Sequence, residues 1–243
     1  MLIESCEEWT ARLAKRLGDG EICLTFDDGP GDPEPNGKTL AIAEFLAREG
    51  IKATFFAVGR RIERPGGRDA LGKLSQLGHL IGNHTFTHPD LTELVKDGQE
   101  GVVQEVVRTH KLIRDFVADG PLVFRPPSGA WNQATCRAVN SAKEMEQYFG
   151  PITCDVLCFD WDLGKQRDGT VWNISHCQGY LISQLRTLGK GVVLLHDSTS
   201  EEIHTDVHIR REQQVYELTK WLVGWLRGEN FKFVGLDELL RAV

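Results

Sequence analysis

Three features are missing from this 243-residue chain, and each absence closes off a class of function. No apolar run approaches the length needed to span a bilayer, so no membrane-crossing helix is expected. Positive charge is not in excess. The 28 Lys and Arg face 35 Asp and Glu, for a formal net charge of −7, and nucleic acid is a poor partner for a chain without a basic face. Paired zinc-type cysteine spacing is absent as well. Cys6, Cys23, Cys136, Cys154, Cys158 and Cys177 are scattered, several in apolar contexts, so reduced buried thiols are expected, with disulfides left open by the even count. Internal repeats, low-complexity segments and linkers are also lacking, which points to one domain over residues 1–243. Met1-Leu2-Ile3-Glu4-Ser5 has neither the basic start nor the apolar core of a signal peptide. The expected location is cytoplasmic if the chain is complete, and extracellular or cell-envelope if it is a trimmed form.

What is present is enough apolar residue, 41%, to build a sizeable core, arranged as strands alternating with helices. Residues up to about Leu17 read as a short helix with Trp9, Leu13 and Leu17 on one face. Strands are expected at Ile22-Cys23-Leu24, Lys52 to Val58, His79-Leu80-Ile81, Leu122-Val123-Phe124, Val156 to Phe159, Val192 to Leu195 and, closing the chain, Phe231 to Val234. Helices run through Leu40 to Ala47, Leu71 to Leu77, a long segment after Pro89 with Val102 to Phe116 in a 3.6-residue period, a segment capped by Asn132, one through Leu181 and Leu185, and about Glu212 to Arg227. Strand–helix alternation means a parallel sheet, and about seven such strands in one domain favour an α/β fold of the distorted (β/α) barrel type.

Polar clusters fall at the C-terminal ends of those strands, where parallel barrels build active sites. Asp27-Asp28 ends the first strand and is followed by Gly29-Pro30, which bends the chain and can bring two neighbouring carboxylates to one site. An Asp-rich surface turn is the plain alternative. His84 and His88 follow the third strand. With one Asp they would make an open three-ligand metal site, although a hydrogen-bonded histidine pair would read the same way. Arg125, ahead of Pro126-Pro127, sits on a stiff extended segment suited to orienting a carboxylate. His196 ends the most apolar strand, and a carboxylate beside it would raise its pKa and equip it as a general acid.

In this order, Thr25-Phe26-Asp27-Asp28-Gly29-Pro30, His84-Thr-x-x-His88, Arg125-Pro-Pro-x-Gly129 and Leu194-Leu195-His196-Asp197 resemble the polysaccharide deacetylase domain, also called the NodB-homology domain or carbohydrate esterase family 4. The resemblance runs from about Glu21 to the C-terminus. It implies a metal-dependent hydrolase that removes an acetyl group from a carbohydrate, with an N-acetyl group of a chitin- or peptidoglycan-like glycan as the leading substrate. Asp28, His84 and His88 would bind a divalent metal, usually zinc. Asp27 would be the general base, Arg125 its orienting partner and His196 the general acid, held by Asp162 or by Asp160. Leu194 or Leu195 would line the pocket for the acetyl methyl, and Pro127, Ser128 and Trp161 would face substrate. Two departures stand out: Ser128 where the family commonly has Tyr, and Lys165-Gln166 where an Asp-Trp pair is expected. An O-acetyl ester, a small amide or a cyclic imide would use the same chemistry, and an inactive sugar-binding barrel the same groove. Oligomeric state has no signature in the sequence.

Overall fold

The computed structural model describes residues 6–33, 37–117, 120–167, 169–199 and 206–241. Its strands are β1 (Glu21–Asp27), β2 (Thr54–Ala57), β3 (Leu80–Asn83), β4 (Leu122–Val123), β5 (Tyr148–Phe149), β6 (Val156–Leu157), β7 (Gln166–Arg167), β8 (Thr170–Val171), β9 (Gly191–His196) and β10 (Lys232–Phe233). The helices are α1 (Cys6–Arg16), α2 (Thr39–Arg48), α3 (Gly59–Ile62), α4 (Gly67–Gln76), α5 (Leu91–Leu94), α6 (Gln99–Val117), α7 (Gln133–Asn140), α8 (Ile174–Leu188), α9 (Asp206–Gly228) and α10 (Leu236–Arg241).

The parallel sheet has the order β3-β2-β1-β9-β6. β9 pairs with β1 from Ile22↔Gly191 to Asp27↔His196. The other edge of β1 is shared: β2 takes its C-terminal half and β10 its N-terminal half. A bridge between Asn83 and Phe124 carries the sheet on to the parallel pair β4–β5. Among the described residues no strand pairing joins β5 to β6, so the barrel is distorted and open along that seam. Gln184 of α8 covers the free edge of β6 instead, donating to the Leu157 carbonyl at 2.7 Å. A side-chain amide there satisfies an edge that would otherwise invite pairing with another chain.

β1 and β9 lie at the centre because they are apolar on both faces, as strands covered by helices on each side must be. Ile22, Leu24, Phe26, Val192, Val193 and Leu195 are all buried. Each contributes roughly 1.5–3 kcal/mol of transfer free energy. Trp9, Leu13 and Leu17, the face expected of the first helix, enter the same core.

All seven expected strands are present. The structure adds β5, too short for a periodic pattern, and the antiparallel hairpin β7–β8. It also corrects two boundaries. The long helix begins at Gln99, after the short α5 that Asp90 caps. The chain does not close on a strand, because α10 follows β10. Cys23, Cys158 and Cys177 are buried free thiols and Cys154 is a half-buried one; Cys136 is half-buried and accepts from Asn140 Nδ2 at 3.3 Å, and the side chain of Cys6 lies outside the described residues. Among those residues no helix is long and apolar enough to cross a membrane.

Candidate active site

The C-terminal end of β1 is shaped by its turn. Asp28 takes a left-handed backbone, φ 76°, which breaks strand alternation and lets its carboxylate join the side that Asp27 faces. Gly29 follows because nothing larger fits: a Cβ there would lie 2.2 Å from Asp197 Oδ2. The Gly29–Pro30 peptide is cis.

His84 and His88 lie on the loop after β3, where Thr85 and His88 are also left-handed, with φ of 66° and 65°. Two polar side chains hold that loop. Asn83 Oδ1 accepts from the Thr85 amide at 2.9 Å. Glu105, from α6, accepts from the amides of Phe86 and Thr87 at 2.8 and 2.7 Å and from the Thr87 hydroxyl at 2.8 Å. The His84 Nδ1 proton is committed to the Arg125 carbonyl, 2.8 Å away, which turns the Nε2 lone pair toward the carboxylates.

These constraints bring together three residues that could hold a metal ion. Among the described residues Asp28 Oδ1 is buried without a hydrogen-bond partner, and it lies 3.6 Å from His84 Nε2 and 3.1 Å from His88 Nε2. One ligand atom from each of the three residues falls within 4.8 Å of the others. An orphaned carboxylate oxygen facing two imidazole nitrogens is the donor set of a divalent cation site with room for further ligands. Burial alone would raise the Asp28 pKa, but the close approach of His88, with the charges of His196 and His84, outweighs it and holds the carboxyl well below the usual carboxylate range. Burial also lowers the pKa of His84, which keeps its ring neutral and able to ligate.

Arg125 is fixed by four groups. It donates to Asp27 Oδ1 at 2.8 Å, to the Thr25 hydroxyl at 2.9 Å and to the carbonyls of Ile152 and Thr153 at 3.0 and 3.2 Å. Its guanidinium also lies 4.3 Å above the Phe56 ring. Asp27 therefore has one oxygen pinned and the other turned toward His84 Nε2, 3.6 Å away.

His196 ends β9 opposite this pair. Its carboxylate partner is Asp160, which corrects the expectation placed on Asp162. Asp160 accepts from the His196 backbone N–H at 2.7 Å and lies 3.0 Å from its Nδ1. Asp162 instead pairs with Arg167 at 2.7 Å. Burial would lower the His196 pKa, but the charge and hydrogen bond of Asp160 overcome that and push it up to about 9.

One cavity of about 700 Å³ brings together Asp27, Asp28, His84, His88, Arg125, Ser128, Trp161, Leu194 and His196. Pro127 and Leu195 are not among its lining residues; both are buried, and Pro126 lines the cavity in place of Pro127. Three supporting residues have no role legible in the sequence: Thr25 and Asp197 stand there only as members of motifs, and Glu105 is an ordinary helix charge.

Residues 14–146 match the family model described as polysaccharide deacetylase. The chain belongs to that family. It is 34% identical over 231 residues to a peptidoglycan-N-acetylglucosamine deacetylase of Listeria monocytogenes, a match that takes in 93% of this chain and 40% of the relative. It is 36% identical over 115 residues to a chitooligosaccharide deacetylase of Rhizobium leguminosarum bv. trifolii, covering 47% of this chain and 49% of the relative. The chain thus spans less than half the length of these curated relatives. Its fold resembles a solved peptidoglycan N-acetylglucosamine deacetylase with a TM-score of 0.69 at 21% identity, over 91% of this chain and 88% of that one. A family 4 pseudoenzyme from Bacillus anthracis is nearly as similar, with a TM-score of 0.64 at 18% identity over 91% and 66%. Since the family fold hosts both deacetylases and a pseudoenzyme, activity has to be argued from side chains.

Proposed function

We propose that this chain is a metal-dependent deacetylase that hydrolyses N-acetyl groups on a chitin- or peptidoglycan-type glycan. The observation that carries the reading is the pairing of a pinned carboxylate with a carboxylate-held histidine in one cavity, beside the Asp28–His84–His88 set. Two imidazoles and one carboxylate suit zinc, which supplies Lewis-acid polarisation of the acetyl carbonyl and acidifies water when bound.

The chain's own residues do the rest. Asp27, with Arg125 holding one oxygen, takes a proton from the attacking water on the other. His196 uses Nδ1 to meet Asp160, which leaves its Nε2 proton for the departing amine. That proton matters most for an amide, whose nitrogen is a poor leaving group until protonated. Ser128, with φ of 53°, presents backbone at the cavity wall, where an N–H can steady the developing oxyanion. Leu194 gives the acetyl methyl an apolar wall. The likeness in sequence to deacetylases of peptidoglycan and chitooligosaccharides supports a glycan as the acyl carrier.

The test is acetate release from N-acetylglucosamine oligomers and from peptidoglycan, before and after chelation and after zinc is restored. Release that follows the metal is expected. Zinc-loaded protein that frees no acetate from any glycan would overturn the reading, and release from O-acetyl esters alone would move it to ester substrates.

A further inference from the structure

Outside the cleft lies a second cavity of about 610 Å³, whose walls are Leu157, Phe159, Trp172 and one side of α8. We propose that this groove binds a distal sugar ring of the same glycan whose acetyl group enters the cleft. The choice of ligand rests on the glycan reading above; the site itself rests on its own geometry.

The groove has the chemistry a pyranose ring needs. Aromatic surface suits the apolar C–H faces of a sugar, and a few polar groups at the rim suit its hydroxyls. Trp172 stacks on His176 with ring centroids 4.7 Å apart, and Tyr180 meets Trp172 edge-on at 5.4 Å. Tyr180 is 44% exposed, so its ring, and not the buried Trp172, is the aromatic face open to a ligand. Ser175 and Ser183 supply exposed hydroxyls on the same wall.

Continuity with the cleft identifies the occupant as part of the substrate. Leu157 lines both cavities. A line of ring contacts also joins them: His196 to Trp161 at 5.1 Å, Trp161 to Phe159 at 5.3 Å and Phe159 to Tyr180 at 5.4 Å. The middle of that line is held rigidly. Phe159 has a left-handed backbone, φ 57°, and Arg167 lies 3.8 Å over its ring while pairing with Asp162. A non-glycine residue in that conformation is costly and persists where its surroundings enforce it.

Gly179 gives an independent sign. It lies inside α8 and lines the groove, where glycine is the weaker helix former. Packing does not require it, since a Cβ there would meet nothing within 4 Å. What the missing side chain does is keep the wall of the groove open.

Gly179→Leu therefore fills the groove while favouring the helix, so the variant is expected to fold. Turnover of the N-acetylglucosamine dimer and hexamer is compared in wild type and Gly179→Leu. Binding of both is then measured by calorimetry with Asp27→Asn added to each protein, so that the ligand stays intact. The expected result is a rise of about tenfold in KM and Kd for the hexamer, the worth of one stacked ring, with kcat and the dimer unchanged. Equal hexamer affinity in the two backgrounds, or an equal loss for the dimer, would overturn the groove. Hexamer binding that Gly179→Leu weakens, in a protein that turns over no glycan, would keep the groove and sink the deacetylase reading. Turnover without any length dependence would do the reverse.

Discussion

His196 and Asp197 are consecutive residues at the end of β9, and they meet opposite fates. His196 lines the cleft, and the buried carboxylates in and behind it face nitrogen: Asp27 pairs with Arg125, Asp28 lies against two imidazoles and Asp160 holds His196 itself. Asp197 is fully buried behind the Gly29–Pro30 turn, where the Thr39 hydroxyl donates to one oxygen and the other has no partner among the described residues. Burial, and after it the charges of Glu212 and Asp28, push the Asp197 pKa up to about 8, against the hydrogen bond from Thr39. Asp160 and Asp197 are equally buried. What separates them is the company: Asp160 faces an imidazole, whereas Asp197 faces a hydroxyl and a second carboxylate, whose charge favours its protonated form.

The largest effect should come from breaking the paired side. Asp27→Asn removes the proposed base and leaves the metal ligands in place, so turnover should fall by about 10²–10⁴-fold with metal content unchanged. Asp28→Ala should lower metal content itself. Metal analysis beside the kinetics reads the two apart, and equal metal loss in both variants would contradict the division of labour between neighbours.

A smaller change tests what Asp160 does for His196. The folded pKa of His196 is raised to about 9 from an ordinary value near 6.5. Its contribution to stability is therefore fully present below about pH 6.5 and is lost as pH rises through about 9. A general acid works protonated, so the alkaline limb of the rate profile should follow this group, and a bound cation would bring the limb to lower pH. In Asp160→Asn the burial of the imidazole is no longer opposed by that charge. The ring pKa, followed by NMR in metal-free protein, should drop by more than about one unit, with the alkaline limb moving the same way. Asp162→Asn should leave it in place. A His196 pKa that follows residue 162 would reverse the assignment.

That contrast also marks where the sequence stops being legible. The strands could be read because Val192 to Leu195 and their like are apolar runs bounded by helices, and the candidate metal trio because Asp28, His84 and His88 fall at strand ends in a spacing few other roles require. Asp160 and Asp162 look alike in sequence. A single tight turn puts one beneath His196 and leaves the other to reach Arg167, five residues on, and nothing local encodes that choice. Glu105 is as opaque, because its three hydrogen bonds go to a loop eighteen or nineteen residues away in sequence. Tyr148-Phe149 is too short a strand for period-2 alternation to register, and it becomes one only because β4 lies beside it.

The smallest effect on chemistry, and the sharpest on stability, belongs to Asp197. Its carboxyl packs against Gly29, and the Thr39 hydroxyl that binds it also accepts from the Gly31 amide at 2.8 Å. The turn carrying Asp28 is therefore braced from behind by a carboxyl without a cation. An aspartate raised to about 8 when folded, against about 3.9 when unfolded, holds a proton that the unfolded chain has released. Stability must then decline as pH rises from about 4 to about 8. Asp197→Asn keeps an oxygen for Thr39 and has nothing to titrate, so this part of the decline should vanish. Thermal unfolding across that range should show the variant gaining on wild type as pH rises and exceeding it by several degrees near pH 8, roughly the shift that 1–2 kcal/mol produces in a domain of this size. Turnover should stay within about twofold, because no proton moves through Asp197. Parallel melting curves for the two proteins would mean that Asp197 is ionised in the folded state, and the contrast between the two sides of β9 would collapse.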